Sequence, residues 1–123
     1  MTKSSLFIFE NINYNLEATF TSGQTFRWKY INNHWENIIN NKYVKLKKNK
    51  SSLIVEVKPY VNDSKWLENY LQINLDLNEI YKNFPKNDFY LNEAVNLFNG
   101  LRILKQDPWE TIASFICSSN KQI

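Results

Sequence analysis

The residues able to do chemistry are few, and their spacing matches no self-contained catalytic device. His34 is the only histidine and Cys117 the only cysteine. There is no Ser-His-Asp arrangement, no Cys/His metal spacing and no Gly-rich phosphate loop, so neither metal nor cofactor is expected. Carboxylates are scattered. With no histidine near it in sequence, Cys117 reads as a small buried apolar residue rather than a nucleophile. Lys45, Lys47, Lys48 and Lys50 form a basic patch that would either touch a phosphate backbone or lie as a solvated hairpin face. Taken alone, Ser22-Gly23 is a turn before a strand, and Asn120 is a helix cap or solvated end.

The elements that must position these residues come in two runs. In the first half the apolar pattern alternates. Leu6 to Ile12 reads as a strand, and Asn15 to Phe20 as a short helical turn ending at Ser22-Gly23. Thr25 to Ile31 reads as a half-buried strand with Phe26, Trp28 and Tyr30 on one face. Asn32-Asn33 and Asn40-Asn41 are turn candidates, since Asn tolerates positive φ. They separate strands at Trp35 to Ile39 and Tyr43 to Lys48; Leu53 to Val57 follows. Val44 and Leu46 should point inward with Lys45 and Lys47 outward, and Leu53, Val55 and Val57 should share one side.

After Pro59 the period becomes helical. Trp66, Leu67, Tyr70 and Leu71 mark one helix, with Asp63 or Ser64 as its cap. Leu77, Ile80, Tyr81 and Phe84 mark a second, stopped by Pro85. Leu91, Ala94, Val95 and Phe98 mark a third, with Gly100 where a helix end favours a left-handed residue. Asp107-Pro108-Trp109-Glu110 then opens a fourth, from Pro108 to about Ser118. Asp107 would cap it, and Glu110 would reach back to the cap amide. Trp109, Ile112, Ala113, Ile116 and Cys117 form its apolar stripe. Phe26, Trp28, Trp35 and Trp66 read as core, and Arg27 as a brace for the sheet. The fold class is therefore α+β: an antiparallel sheet first, helices after.

Composition sets the outer bounds. The chain has 123 residues, enough for one domain with its own core, and 43% of them are hydrophobic. A net charge of +3 permits a nucleic-acid partner without demanding one. A lone cysteine excludes an internal disulfide and fits a reducing intracellular compartment. The apolar run from Leu6 to Phe9 is too short for a signal-peptide core or a membrane span.

Two segments say more. The first is Thr21-Ser22-Gly23-Gln24-Thr25-Phe26-Arg27-Trp28. The second runs from Gly100-Leu101-Arg102-Ile103-Leu104-Lys105-Gln106-Asp107-Pro108 to Ser114-Phe115-Ile116-Cys117-Ser118-Ser119-Asn120. Between them lie Tyr70-Leu71 and Leu75-Asp76-Leu77 ahead of Ile80-Tyr81. In this order the segments resemble the 8-oxoguanine DNA glycosylase family over nearly the whole chain.

The resemblance implies a twisted antiparallel sheet with flanking helices, like the TATA-box-binding protein, over residues 1–105. Residues 106–123 would begin a helix-hairpin-helix domain. It implies an intracellular enzyme (nuclear if eukaryotic) that removes 8-oxoguanine paired with cytosine from duplex DNA. A lysine and an aspartate in the helix-hairpin-helix domain carry that chemistry, and no lysine of this chain matches the catalytic one. Gly23 matches the glycine whose carbonyl accepts a hydrogen bond from N7–H of 8-oxoguanine. Asn120 matches the asparagine that contacts the estranged cytosine. The family commonly continues with further asparagines, where this chain has Lys121-Gln122. Lys121 is then either a phosphate contact or part of a solvated tail. The expected partners are DNA containing 8-oxoguanine and the helix-hairpin-helix domain of the same protein, with no membrane. A non-catalytic DNA-binding module and a protein-interaction scaffold are the alternative readings.

Overall fold

A computed structural model of the chain describes residues 3–120, with side chains described as far as Cys117. Five antiparallel strands form one open sheet in the order β1-β5-β4-β3-β2, with β1 Ser5–Phe9, β2 Lys29–Ile31, β3 His34–Ile39, β4 Lys42–Asn49 and β5 Ser52–Lys58. The expected alternation holds. Val44, Leu46, Leu53, Val55 and Val57 are fully buried, and Lys47 is exposed. The turn asparagines adopt the expected left-handed backbone, with φ of 52° and 67° at Asn32 and Asn33 and of 52° and 62° at Asn40 and Asn41.

Five helices follow or interrupt the sheet: α1 Leu16–Thr21, α2 Lys65–Leu71, α3 Leu77–Lys82, α4 Phe89–Leu97 and α5 Pro108–Asn120. Asn15, Asp76 and Asp88 cap α1, α3 and α4 by accepting from first-turn amides. Leu16 and Phe20 of α1, Leu67 and Leu71 of α2, Tyr14 and Leu104 join the buried face of the sheet in one core. Each fully buried Leu or Val there contributes about 1.5–3 kcal/mol.

Several elements depart from the sequence pattern. β1 stops at Phe9 rather than Ile12, because Asn11 takes a φ of 55°. The strand expected from Thr25 is laddered only from Lys29. Phe26, Trp28 and Tyr30 do not share a face: Trp28 is 7% exposed, Phe26 38% and Tyr30 59%. Trp28 leaves the strand direction because its ring stacks on Phe20 at 4.1 Å and its indole N–H donates to the Tyr70 hydroxyl. Phe26 is accordingly not core, whereas Trp28 is, and Trp35 and Trp66 pack half-buried against the core.

The last helix forms where expected but is not buried on its stripe. Trp109, Ile112 and Ile116 are 74%, 54% and 57% exposed, and Cys117 is an exposed free thiol rather than a buried one. Asp107 does accept from the Trp109 amide, at 3.4 Å. Glu110 does not complete a capping box, because Arg27 takes its carboxylate instead.

Candidate functional site

Helix α1 ends at Thr21, and the chain reverses through Ser22, Gly23 and Gln24. Ser22 Oγ donates to the Thr19 carbonyl at 3.1 Å, closing the helix end. Gly23 follows with a φ of 91°, a conformation that side chains disfavour. A Cβ at Gly23 would meet nothing within 4 Å, so the dihedral and not crowding calls for glycine. Gly23 is exposed, and no described residue donates to its carbonyl.

The next residue is held from several sides. The Gln24 amide nitrogen donates to the Thr19 carbonyl at 3.0 Å and to the Arg102 carbonyl at 2.7 Å. Its amide oxygen accepts from the Leu104 N–H at 2.7 Å. Its backbone carbonyl accepts from Gln106 Nε2 at 2.6 Å. The segment from Arg102 to Gln106 therefore acts as a strut beside the turn.

The strut is itself anchored. The Arg102 side chain is buried and donates to the carbonyls of Gln72, Leu75 and Asn13 at 2.7, 2.7 and 2.9 Å. Its guanidinium lies 5.0 Å from the Tyr14 ring centroid. Burial lowers its pKa, while Tyr14, Tyr81 and Asp76 oppose that shift. The Arg102 backbone N–H donates to Thr19 Oγ1, so the strut also grips α1 directly.

Beyond the turn, two contacts reach α5. The Phe26 and Phe115 rings meet edge to face at 6.2 Å. Arg27 Nη1 lies 2.6 Å from Glu110 Oε1, so Arg27 braces the last helix and not the sheet. Gly23, the strut and α5 thus form one assembly. Asn120 is the last residue of α5, about 7.5 Å along the axis beyond Phe115. The Asn120 side chain and Lys121 lie outside the described residues.

The basic patch splits: Lys45 and Lys47 share one face of β4, Lys48 lies on the other, and Lys50 sits in the turn after the strand. Lys45 sits between Glu36 and Glu56 in the ladder, so carboxylates flank it on both sides. Lys48 donates to the Tyr14 carbonyl at 2.9 Å. No described helix is long and apolar enough to cross a membrane.

Chemically, the assembly presents a surface carbonyl in a fixed place, able to accept from an N–H or O–H donor. The sequence points to Gly23 directly. It does not reveal Gln24, Arg102 and Gln106 as its supports, because their partners are up to 89 residues away. All three fall inside the two segments that carry the family resemblance, Thr21 to Trp28 and Gly100 to Asn120.

The chain is similar to known proteins in sequence and in fold. Residues 6–112 match the family described as 8-oxoguanine DNA glycosylase, N-terminal domain. The chain is 32% identical over 114 residues to the N-glycosylase/DNA lyase OGG1 of Arabidopsis thaliana, covering 88% of this chain and 31% of that protein. It is 37% identical over 59 residues to the N-glycosylase/DNA lyase of Saccharomyces cerevisiae, covering 46% of this chain and 15% of that protein. Among solved structures, apo 8-oxoguanine glycosylase/lyase of Clostridium acetobutylicum superposes with a TM-score of 0.82 at 29% identity, covering 99% of this chain and 44% of that one. The same enzyme bound to duplex DNA with cytosine opposite 8-oxoguanine gives 0.79 at 26% identity, with coverage of 99% and 44%. MBOgg1 in complex with a low-affinity DNA ligand gives 0.82 at 29%, with coverage of 99% and 42%. The chain thus spans under a third of the curated relatives it matches and under half of the solved ones.

Proposed function

This chain belongs to the 8-oxoguanine DNA glycosylase family, and from that premise we propose that it reads the damaged base for a DNA glycosylase/lyase acting in base-excision repair. The substrate is 8-oxoguanine paired with cytosine in duplex DNA. The observation that carries this reading is the exposed Gly23 carbonyl, unclaimed by any described donor and backed by the Gln24 anchor.

The chemistry is a reversal of polarity at one atom. Guanine presents a lone pair at N7 in the major groove, whereas 8-oxoguanine presents a proton there. A carbonyl aimed at N7 attracts the damaged base and repels the normal one. Excision requires the nucleotide to leave the stack, because the sugar carbon is out of reach inside the duplex, and the extruded base would then meet the carbonyl. Asn120 would read the cytosine left behind, since an amide both donates and accepts. Lys121 would lie near the phosphate backbone. Residues 106–123 would open the helix-hairpin-helix domain, and the lysine nucleophile and assisting aspartate would come from that domain beyond this chain. The setting is intracellular, and nuclear in a eukaryote.

Borohydride trapping on a duplex with 8-oxoguanine opposite cytosine tests this assignment. The chain alone is expected to give no covalent adduct, while a full-length relative traps normally. An adduct with the chain alone would place the nucleophilic lysine among its own residues and overturn the division of labour.

A further inference from the structure

We infer that Gln24 is the positioning residue that sets the direction of the Gly23 carbonyl, and with it the discrimination between 8-oxoguanine and guanine. This rests on the base-reading role proposed for Gly23.

The Gly23 carbonyl is coplanar with the Gln24 nitrogen and Cα, so fixing Gln24 fixes the direction in which that oxygen points. Something must fix it, because glycine has the freest backbone of any residue and its φ of 91° is only one of many accessible values. A carbonyl that wandered could turn away from a donor at N7 and lose the distinction between the two bases.

Only a carboxamide of this length meets the requirement. Its nitrogen supplies the donors that the Thr19 and Arg102 carbonyls accept, and its oxygen receives the Leu104 N–H. A carboxylate could accept but not donate, and an aliphatic chain could do neither. Gln106 completes the grip by donating to the Gln24 carbonyl, on the far side of the same residue. Arg102, Leu104 and Gln106, the strut residues that hold Gln24, all lie shortly before the start of α5 at Pro108. The position of α5 and the direction of the Gly23 carbonyl are therefore set together.

The test uses the full-length protein, with binding measured to three duplexes carrying 8-oxoguanine, guanine or a tetrahydrofuran abasic site, each opposite cytosine. In Gln24→Glu, which keeps the length and removes the donors, the preference for 8-oxoguanine over guanine should fall about tenfold, while affinity for the abasic duplex stays within about twofold. The abasic duplex has no base to read, so a purely structural role would lower all three affinities together. Gln106→Met removes only the bond to the Gln24 carbonyl and should shift the same preference in the same direction. It decides the matter if Gln24→Glu no longer unfolds cooperatively. A folded variant with unchanged preference, or with abasic affinity falling in parallel, overturns this inference alone. A wild-type protein without any preference overturns the base-reading role of Gly23, and this inference with it.

Discussion

Arg27 and Glu110 lie 83 residues apart in sequence, and their Nη1 and Oε1 atoms are 2.6 Å apart. The pair joins the segment after the Gly23 turn to the first turn of α5. Glu110 is available for it because Asp107 serves the helix start without help, accepting from the Trp109 amide through its side chain and from the Thr111 amide through its carbonyl. Both side chains are about half exposed, at 52% and 42%, so solvent and salt screen the attraction. Arg27→Ala is expected to cost no more than about 1 kcal/mol of stability, with a smaller cost at high salt. A double-mutant cycle with Glu110→Ala, read by urea unfolding, checks this; a coupling well above that size would mean the pair is effectively buried.

Arg102 should behave very differently. Arg102 is 3% exposed, and its side chain pairs with three carbonyls, two from the segment after α2 and one from the chain before α1. Arg102→Met leaves those acceptors unpaired in the interior, a loss of about 3 kcal/mol or more. Arg102→Lys should recover little, because one ammonium cannot reproduce the guanidinium fork. Equilibrium denaturation of the three proteins decides it, and equal midpoints would show that water satisfies the carbonyls.

The two glycines offer a controlled comparison, because both have a φ above 90°. A Cβ at Gly23 would find open space, while one at Gly100 would lie 2.7 Å from the Asn15 nitrogen. Gly23→Ala should therefore cost about 1 kcal/mol, the backbone penalty alone. Gly100→Ala should cost at least about twice that, since Asn15 also donates to the Gly100 carbonyl at 2.8 Å and cannot retreat freely. Similar unfolding midpoints for the two variants would contradict this ordering.

Stability should fall at both ends of the pH range, through groups joined on β3 and β4. Tyr43 and His34 hydrogen-bond the Glu36 carboxylate and hold its pKa below the ordinary 4.5. A depressed carboxyl adds stability that is present above its unfolded value and lost as pH falls through the folded one. Tyr43 is pushed from 10.0 up to about 12, first by burial and then by its bond to Glu36. That contribution is complete below pH 10 and disappears as pH rises toward 12. Tyr43→Phe should raise the Glu36 titration and remove part of the alkaline loss. NMR titration of the Glu36 carboxyl and unfolding between pH 10 and 12 measure both; an unmoved titration would sink the coupling.

Local patterns carried much of this fold. Strict alternation marked Val44 and Leu46 as inward, and paired asparagines marked the turns at Asn32-Asn33 and Asn40-Asn41, because each signal lies within a few residues of what it specifies. Trp28 falls outside the strand that its alternation predicts, because the Phe20 ring and Tyr70 hydroxyl that draw it aside leave no local periodicity. Cys117 lies on the apolar face that helical spacing predicts yet is exposed, because spacing identifies such a face without saying what covers it. The candidate site divides in the same way. Gly23 could be placed by its motif, whereas the Gln24 anchor depends on carbonyls and amides that only tertiary structure brings near.

The strand order β1-β5-β4-β3-β2 also has a kinetic side. The hairpins from β2 to β5 close over tight turns, such as the one between Asn49 and Ser52. By contrast, pairing Phe9 with Leu53 encloses the rest of the sheet and α1 in a single loop. With loop entropy growing as the logarithm of length, that closure costs about 3 kcal/mol more than a two-residue turn. The meander is the part that can assemble early from short-range contacts, and the first strand to be synthesised is the one whose docking waits for the last.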